Sequence, residues 1–261
     1  MNKADVLIEA LPYIRTFFGK TIVIKYGGRA MADESLKTSF SKDCVLLRYV
    51  GMKPVIVHGG GQQITRIMER MGKKVQFIEG QRITDKDTME IVEMVLGGKV
   101  SKEIVSLINQ QGGKAVGLSG LDGKLIQAES EKDYIGRVKK INPEIIHTLD
   151  EKGFIPVISP IAIGDEGERF NINADLSASE LAIGLSAYRL VILTNTKGIL
   201  KDAEVISTLR VSEIEGLIKD GVIKEGMIPK VKAAKKAVEE GVEKAHIIDG
   251  RVRHSILLEL F

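Results

Sequence analysis

Thr21-Ile22-Val23-Ile24-Lys25-Tyr26-Gly27-Gly28 is an apolar, β-branched run that ends on a lysine and then on two glycines. Side chains branched at Cβ fit a pleated surface, and a run without polar alternation fits a strand buried on both faces. Glycines directly after it permit a tight turn into a helix. The pattern recurs at 54–58, where Pro54-Val55-Ile56-Val57-His58 leads into Gly59-Gly60-Gly61. Further apolar runs at 115–119, 155–159, 190–194 and 245–249 read as strands of the same kind. Helical periodicity fills much of the space between. Residues 4–17 place Val6, Leu7, Ala10, Leu11 and Ile14 at helical spacing, with Pro12 a candidate kink; 61–71, 88–110 and 231–240 read as further helices, and Thr84 and Asp85 are candidate caps for the third. Alternating strands and helices predict an α/β protein with a largely parallel central sheet. The polar stretch Gly164-Asp165-Glu166-Gly167-Glu168 is the candidate lobe boundary.

Composition narrows the function classes. In 261 residues, 38 basic side chains face 35 acidic ones, and no Lys/Arg block interleaved with aromatics suggests a nucleic-acid surface. The single cysteine, Cys44, excludes an intrachain disulfide framework and a cysteine-rich zinc site. His58, His147, His246 and His254 are scattered without metal-ligand spacing, so no metal site is expected from protein residues, and no GxSxG elbow points to hydrolysis. No apolar run approaches the ~20 residues that cross a bilayer, and the N-terminus lacks a basic segment followed by an apolar one. The expectation is a cytoplasmic protein with neither membrane nor nucleic-acid partner.

The chemistry lies in the glycines and a few charged residues. Glycines after a strand let the backbone approach an anion with its N–H groups exposed, and ligand sites in open α/β sheets lie at the carboxyl ends of strands. Either cluster alone is also what a plain tight turn looks like. Arg82, in Glu79-Gly80-Gln81-Arg82-Ile83-Thr84-Asp85, has the planar fork that matches a carboxylate, although an isolated arginine usually lies on a solvated surface. Asn171, Asn173 and Asp175 alternate and share one side if the segment is extended; an Asx-rich turn or helix cap is the plainer alternative. Lys230 follows the apolar Met227-Ile228-Pro229, which would hold its backbone near a helix start, whereas Lys232, Lys235 and Lys236 read as a solvated face. Two lysines and glycine turns suit phosphoryl transfer, which needs fixed positive charge and oriented donors more than covalent help.

Lys25-Tyr26-Gly27-Gly28, Val57-His58-Gly59-Gly60-Gly61, Gly80-Gln81-Arg82-Ile83-Thr84-Asp85, Val116-Gly117-Leu118-Ser119-Gly120, Asn171-Ile172-Asn173-Ala174-Asp175 and Gly226-Met227-Ile228-Pro229-Lys230-Val231 occur in the order found in the amino acid kinase family. The chain resembles that family from about residue 4 onward, and within it the members that phosphorylate N-acetyl-L-glutamate in arginine biosynthesis. The resemblance implies a three-layer α/β sandwich with two lobes: residues 1–170 for the acylated amino acid and a dimer contact, 171–261 for the nucleotide. It implies ATP with Mg²⁺, and transfer to the γ-carboxylate of N-acetyl-L-glutamate. Lys25, Lys230 and Asp175 match its catalytic positions, Gly27 and Gly28 its phosphate-binding backbone, and Gly59, Gly60, Arg82, Asn171 and Asn173 its acceptor-binding positions. Thr194, Asn195 and Gly198 match nucleotide-binding positions, with Asn195 standing where relatives usually have Asp, and Gln62 stands where they usually have Pro. The resemblance also implies a homo-oligomer, a dimer or a hexamer built as a trimer of dimers, with the helix at 4–17 at the junction. Feedback control by arginine is left open, because the chain stops at Phe261 where relatives usually continue into a short glycine-containing segment. Other acceptors within the family (glutamate, aspartate, carbamate, a carrier-linked aminoadipate) and a non-catalytic amino-acid sensor are the alternatives.

Overall fold

All six apolar runs become strands of one parallel sheet. The computed structural model describes residues 2–78, 81–202 and 204–261. Gly80 and Glu79 of the arginine motif lie outside the described residues, as does the side chain of Val6 in the first helical stripe. In chain order the elements are α1 (Lys3–Phe17), β1 (Thr21–Tyr26), α2 (Glu34–Tyr49), β2 (Lys53–His58), α3 (Gly61–Arg70), β3 (Phe77–Ile78), β4 (Gln81–Arg82), α4 (Lys86–Glu93), α5 (Ser101–Gln110) and β5 (Ala115–Ser119). There follow β6 (Ile126–Lys132), β7 (Ile135–Ile141), α6 (Glu144–Glu151), β8 (Ile155–Ser159), β9 (Ile161–Ile163), β10 (Arg169–Asn171) and α7 (Ala174–Gly184). The last are β11 (Arg189–Thr194), β12 (Leu200–Lys201), β13 (Glu204–Val205), α8 (Ile214–Lys219), α9 (Ile228–Glu239), β14 (Lys244–Asp249) and α10 (Ser255–Leu260).

The main sheet has the order β14-β11-β1-β2-β8-β5. Strand parity assigns each residue of β1 to one of two apolar layers. Ile22, Ile24 and Tyr26 share a core with Cys44 and Leu47 of α2 and Ile104 and Ile108 of α5. Val23 points the other way and joins Ala178 and Leu181 of α7 and Ala233 and Ala237 of α9. Ile22, Val23 and Ile24 are fully buried, which stabilises by roughly 1.5–3 kcal/mol per side chain and fixes the strand's register. Lys25 has the parity of Val23. It is therefore delivered at the strand's carboxyl end to the face covered by α7 and α9. The strand order also reverses at β1, with β2 on one side and β11 on the other, the place where open α/β sheets form a crevice.

Three sequence expectations change. The helix at 88–110 is α4 and α5 joined by a π-helical turn, Met94–Val100, that contains Gly97 and Gly98. Asp85 caps it, its carboxylate accepting from the N–H of Thr88 at 2.7 Å. Gly164–Glu168 is the turn between the antiparallel β9 and β10. Those two strands close a small four-stranded sheet, β10-β7-β6-β9, with the β6–β7 hairpin. Finally, the alternation of Asn171, Asn173 and Asp175 is not that of a strand, because β10 ends at Asn171 and α7 begins at Ala174.

Candidate active site

A cavity of about 360 Å³ lies at the carboxyl ends of β1, β2 and β8. Lys25, Gly27 and Gly28 reach it from β1; Gly59, Gly60 and Gly61 from β2; Asn171, Asn173 and Asp175 from the β10–α7 junction; Lys230 from the first turn of α9. Arg82 enters from β4. Chain segments far apart in sequence thus bring their charged and glycine residues to one place.

Asp175 is the hub. Its Oδ2 accepts from Lys230 Nζ at 2.5 Å, and its Oδ1 lies 3.2 Å from Lys25 Nζ. Both Lys25 and Asp175 are buried, 8% and 5% exposed. Burial pushes the Asp175 carboxyl up, but the two ammonium groups outweigh it and hold its pKa below the usual carboxylate range. Burial lowers the Lys25 pKa, with Asp175 opposing and Lys230 assisting. Two cations on one carboxylate leave one net positive charge facing the cavity, an arrangement that attracts an anion rather than repays its own burial.

The glycines surround these lysines with backbone. A Cβ on Gly27 would come within 2.8 Å of Lys25 Nζ. Gly28 adopts φ +71°, and a Cβ there would lie 2.4 Å from Asn195 Oδ1, so only glycine fits without displacement. Among the described residues no protein acceptor meets the N–H groups of Gly27, Gly28, Gly60 or Gly61. Gly59, which also lines the cavity, differs: its N–H donates to Tyr26 O at 2.8 Å.

Arg82 is 6% exposed and braced, with Nη2 donating to Gly61 O at 2.8 Å and Thr65 Oγ1 at 2.7 Å, and its guanidinium lies over the Phe77 ring at 4.8 Å. Desolvation lowers its pKa. Asn171 Nδ2 donates to Thr84 Oγ1 at 3.3 Å. Asn173 is the helix cap of the plainer reading, since its Oδ1 accepts from the N–H of Asp175 at 2.8 Å. It lines the cavity, and only its amide nitrogen is left for a ligand. Ile64, Phe77, Leu96, Ile135 and Pro160, which no quoted motif contains, join Ile172 in an apolar wall.

The three nucleotide candidates do not line this cavity. Thr194 is buried at the end of β11. Asn195 Oδ1 accepts from the N–H of Arg29 at 2.7 Å and so ties β11 to the first glycine turn. Gly198 holds φ +139° in the loop before β12. No group of three or more His, Cys, Asp or Glu among the described residues could hold a metal ion. No described helix is long and apolar enough to cross a membrane.

With the geometry in place, comparisons with known proteins carry weight. Residues 20–249 match the model of the amino acid kinase family. The chain is 55% identical to the acetylglutamate kinase of Moorella thermoacetica, across 100% of this chain and 94% of that one. It is 53% identical to the acetylglutamate kinase of Aquifex aeolicus, across 100% and 95%. Among solved structures, smu.665 from Streptococcus mutans superposes with a TM-score of 0.82 at 33% identity, covering 88% of this chain and 94% of that one.

Proposed function

The chain belongs to the amino acid kinase family, and from that premise we propose that it moves the γ-phosphoryl group of ATP to the γ-carboxylate of N-acetyl-L-glutamate, an activating step of arginine biosynthesis. The named relatives, above half identical along the whole chain, are acetylglutamate kinases. The observation that carries the chemistry is the Lys25–Asp175–Lys230 cluster beside unpaired glycine N–H groups.

A carboxylate oxygen of the acceptor attacks the γ-phosphorus, the bond to the β-phosphate oxygen breaks, and ADP leaves. The acceptor is ionised at neutral pH, so no general base is required. Charge on the transferring group is the main obstacle. Lys25 and Lys230 stabilise it, and Asp175 holds both ammonium groups in position before substrate arrives. Gly27 and Gly28 offer N–H donors to the phosphates, and Gly60 offers one to the acceptor. Arg82 and Asn171 hold the acceptor's other polar groups, Arg82 by the part of its fork not engaged by Gly61 and Thr65. Mg²⁺ would screen the ATP phosphates. Asp175 is the one carboxylate lining the cavity among the described residues and is already paired with two lysines, so the chain provides no carboxylate cage and the ion would be held mainly by phosphate oxygens. Residues 1–170 would then form the acceptor lobe and 171–261 the nucleotide lobe, with ATP entering over β11 and the loop of Thr194, Asn195 and Gly198. The cytoplasm is where ATP and such an acceptor meet. The test is ATP-dependent acyl phosphate trapped by hydroxylamine across a panel of amino acids and their N-acyl derivatives; a preference for free glutamate, aspartate or carbamate overturns the assignment.

The same reading includes a homo-oligomer. In α1, Leu7 is 70% exposed and Leu11 47%, with Ile8 and Phe18 at 68% beside them, so the subunit itself leaves much of this apolar surface uncovered. A second copy is the occupant the resemblance implies. Light scattering should find an assembly larger than a dimer that falls to dimers when residues 1–17 are removed, with most activity retained. A full-length dimer at micromolar concentration overturns the ring.

A further inference from the structure

His58 ends β2, is fully buried, and has no charged partner. Strand parity turns it to the face of Ile56, away from the lysines and toward the π-helical turn. Its Nδ1–H donates to Gly59 O at 2.8 Å. Because a carbonyl only accepts, this bond fixes the tautomer and leaves Nε2 to accept from the Ser159 hydroxyl at 3.0 Å. Ser159 Oγ also sits 3.2 Å from Leu96 O, in the middle of the π turn, so Nε2 and that carbonyl compete for its single hydroxyl hydrogen. The Leu96 side chain in turn abuts Gly60, where a Cβ would lie 2.4 Å from Leu96 Cδ2. Burial holds the His58 pKa down at about 4, so the ring is neutral under ordinary conditions. It is unsuited to moving protons and well suited to holding backbone.

What it holds is one peptide unit. No peptide bond among the described residues is cis, and in a trans peptide the C=O of Gly59 and the N–H of Gly60 point in opposite directions. With the carbonyl drawn onto the buried ring, the Gly60 N–H is turned to the opposite side, where Gly60 lines the cavity. The preceding N–H, that of Gly59, is engaged by Tyr26. Tyr26 thus fixes the His58–Gly59 peptide and His58 the Gly59–Gly60 peptide, while the π turn closes on Gly60 through Leu96.

We propose that His58, buried beside Ser159, is a positioning residue for phosphoryl transfer: it orients the Gly59–Gly60 peptide and so aims the Gly60 N–H at the reacting acceptor. The inference rests on the transfer reaction proposed above. Three variants test it. His58→Leu keeps the volume and removes the donor; kcat should fall by about 10- to 100-fold with KM for ATP changed by less than about twofold, because a misaimed donor weakens the transition state most. In His58→Asn the side-chain amide stands close to where Nδ1–H stood, and kcat should return to within about threefold of wild type. Both variants lose the Ser159 bond and should lower Tm to a similar degree, so a merely structural role predicts equal kinetic damage in the two. Equal damage, or an undiminished kcat in His58→Leu, overturns the proposal. If His58→Leu fails to fold, Ser159→Ala decides: kcat lowered about two- to fivefold supports the relay, and a wild-type kcat refutes it. A wild-type enzyme that forms no acyl phosphate condemns the reaction itself, whereas an active wild type with an indifferent His58→Leu condemns the relay alone.

Discussion

The two glycine turns at the mouth of the cavity begin alike, each following a buried parallel strand, yet they are held by opposite means. After β1 the turn carries charge: Lys25 reaches Asp175 beneath it, and the backbone is pinned from outside by the Tyr26 hydroxyl donating to Ala30 O at 2.7 Å and by Asn195 accepting from Arg29 N–H. After β2 the turn carries none. A neutral imidazole holds the Gly59 carbonyl, the Arg82 guanidinium from β4 holds the Gly61 carbonyl, and the π turn packs against Gly60. The difference follows from parity. An odd residue of β1 faces α7 and α9, where Asp175 and Lys230 make a buried ammonium tolerable, while an even residue of β2 faces an apolar layer where an uncompensated charge would cost several kcal/mol. One turn supplies charge and the other supplies direction.

The largest effect belongs to the charged side. Lys230→Ala should lower kcat by at least about 100-fold with a smaller change in either KM, because the lost interaction strengthens in the transition state. Asp175 would retain Lys25 as its partner, so the fold should persist. Steady-state kinetics with a melting curve distinguish the outcomes: a near-normal kcat would remove Lys230 from the mechanism and with it the contrast between the turns.

The second prediction reads the uncharged side by acid. His58 has a folded-state pKa of about 4 against 6.5 for the free side chain. Between those values the unfolded chain binds more protons, so the contribution to stability is complete above pH 6.5 and is lost as pH falls toward 4. Relative to His58→Asn, which has no ring to protonate, the wild type should lose about 2 kcal/mol between pH 6.5 and pH 5 in chemical denaturation. Parallel stability curves for the two proteins would mean that the ring is not held neutral by burial.

Arg82→Lys comes third. The lysine keeps the charge but loses the planar fork, so KM for the acceptor should rise about tenfold while KM for ATP stays near normal. Because Arg82 also donates to Gly61 O and Thr65 Oγ1, Tm should drop as well. A rise in both KM values would place Arg82 in the closure of the cavity instead of in acceptor binding.

How much of this was readable beforehand depends on where the determining partner lies. The six central strands were legible because each is an uninterrupted apolar run, and burial on both faces demands no partner of known identity. The β6–β7 hairpin was not: Glu129, Glu131, Lys132, Asp133, Arg137, Lys139 and Lys140 dominate it, and its few buried apolar residues are too sparse to mark a strand. The π turn hides inside a continuous helical stripe, with Gly97-Gly98 its one mark. Lys25, Asp175 and Lys230 stood out because charge beside glycine or proline is conspicuous in a sequence. His58 was one of four scattered histidines, and its surroundings depend on Ser159, 101 positions away. The resemblance places Asn195 among nucleotide-binding positions, and the fold adds a contact no sequence signal marked: its side chain is turned onto Arg29.

Asn195 therefore yields the smallest and most discriminating prediction. Asn195→Ala removes the acceptor for the Arg29 N–H next to Gly28, a single hydrogen bond worth about 1 kcal/mol, and the loosened turn should lower kcat by about threefold. Asn195→Asp keeps an oxygen at the same place, so the backbone bond and kcat should both be retained. If alanine proves harmless, Tyr26 holds the first turn alone, and the outer pin is dispensable. If alanine is as damaging as Lys230→Ala and raises KM for ATP, Asn195 touches the nucleotide directly when it is bound, and the turn after β1 closes over substrate by exchanging its Arg29 bond for a ligand. A modest loss in alanine, reversed in aspartate with KM for ATP unmoved, is the outcome that keeps the first turn as charge on a separately anchored backbone.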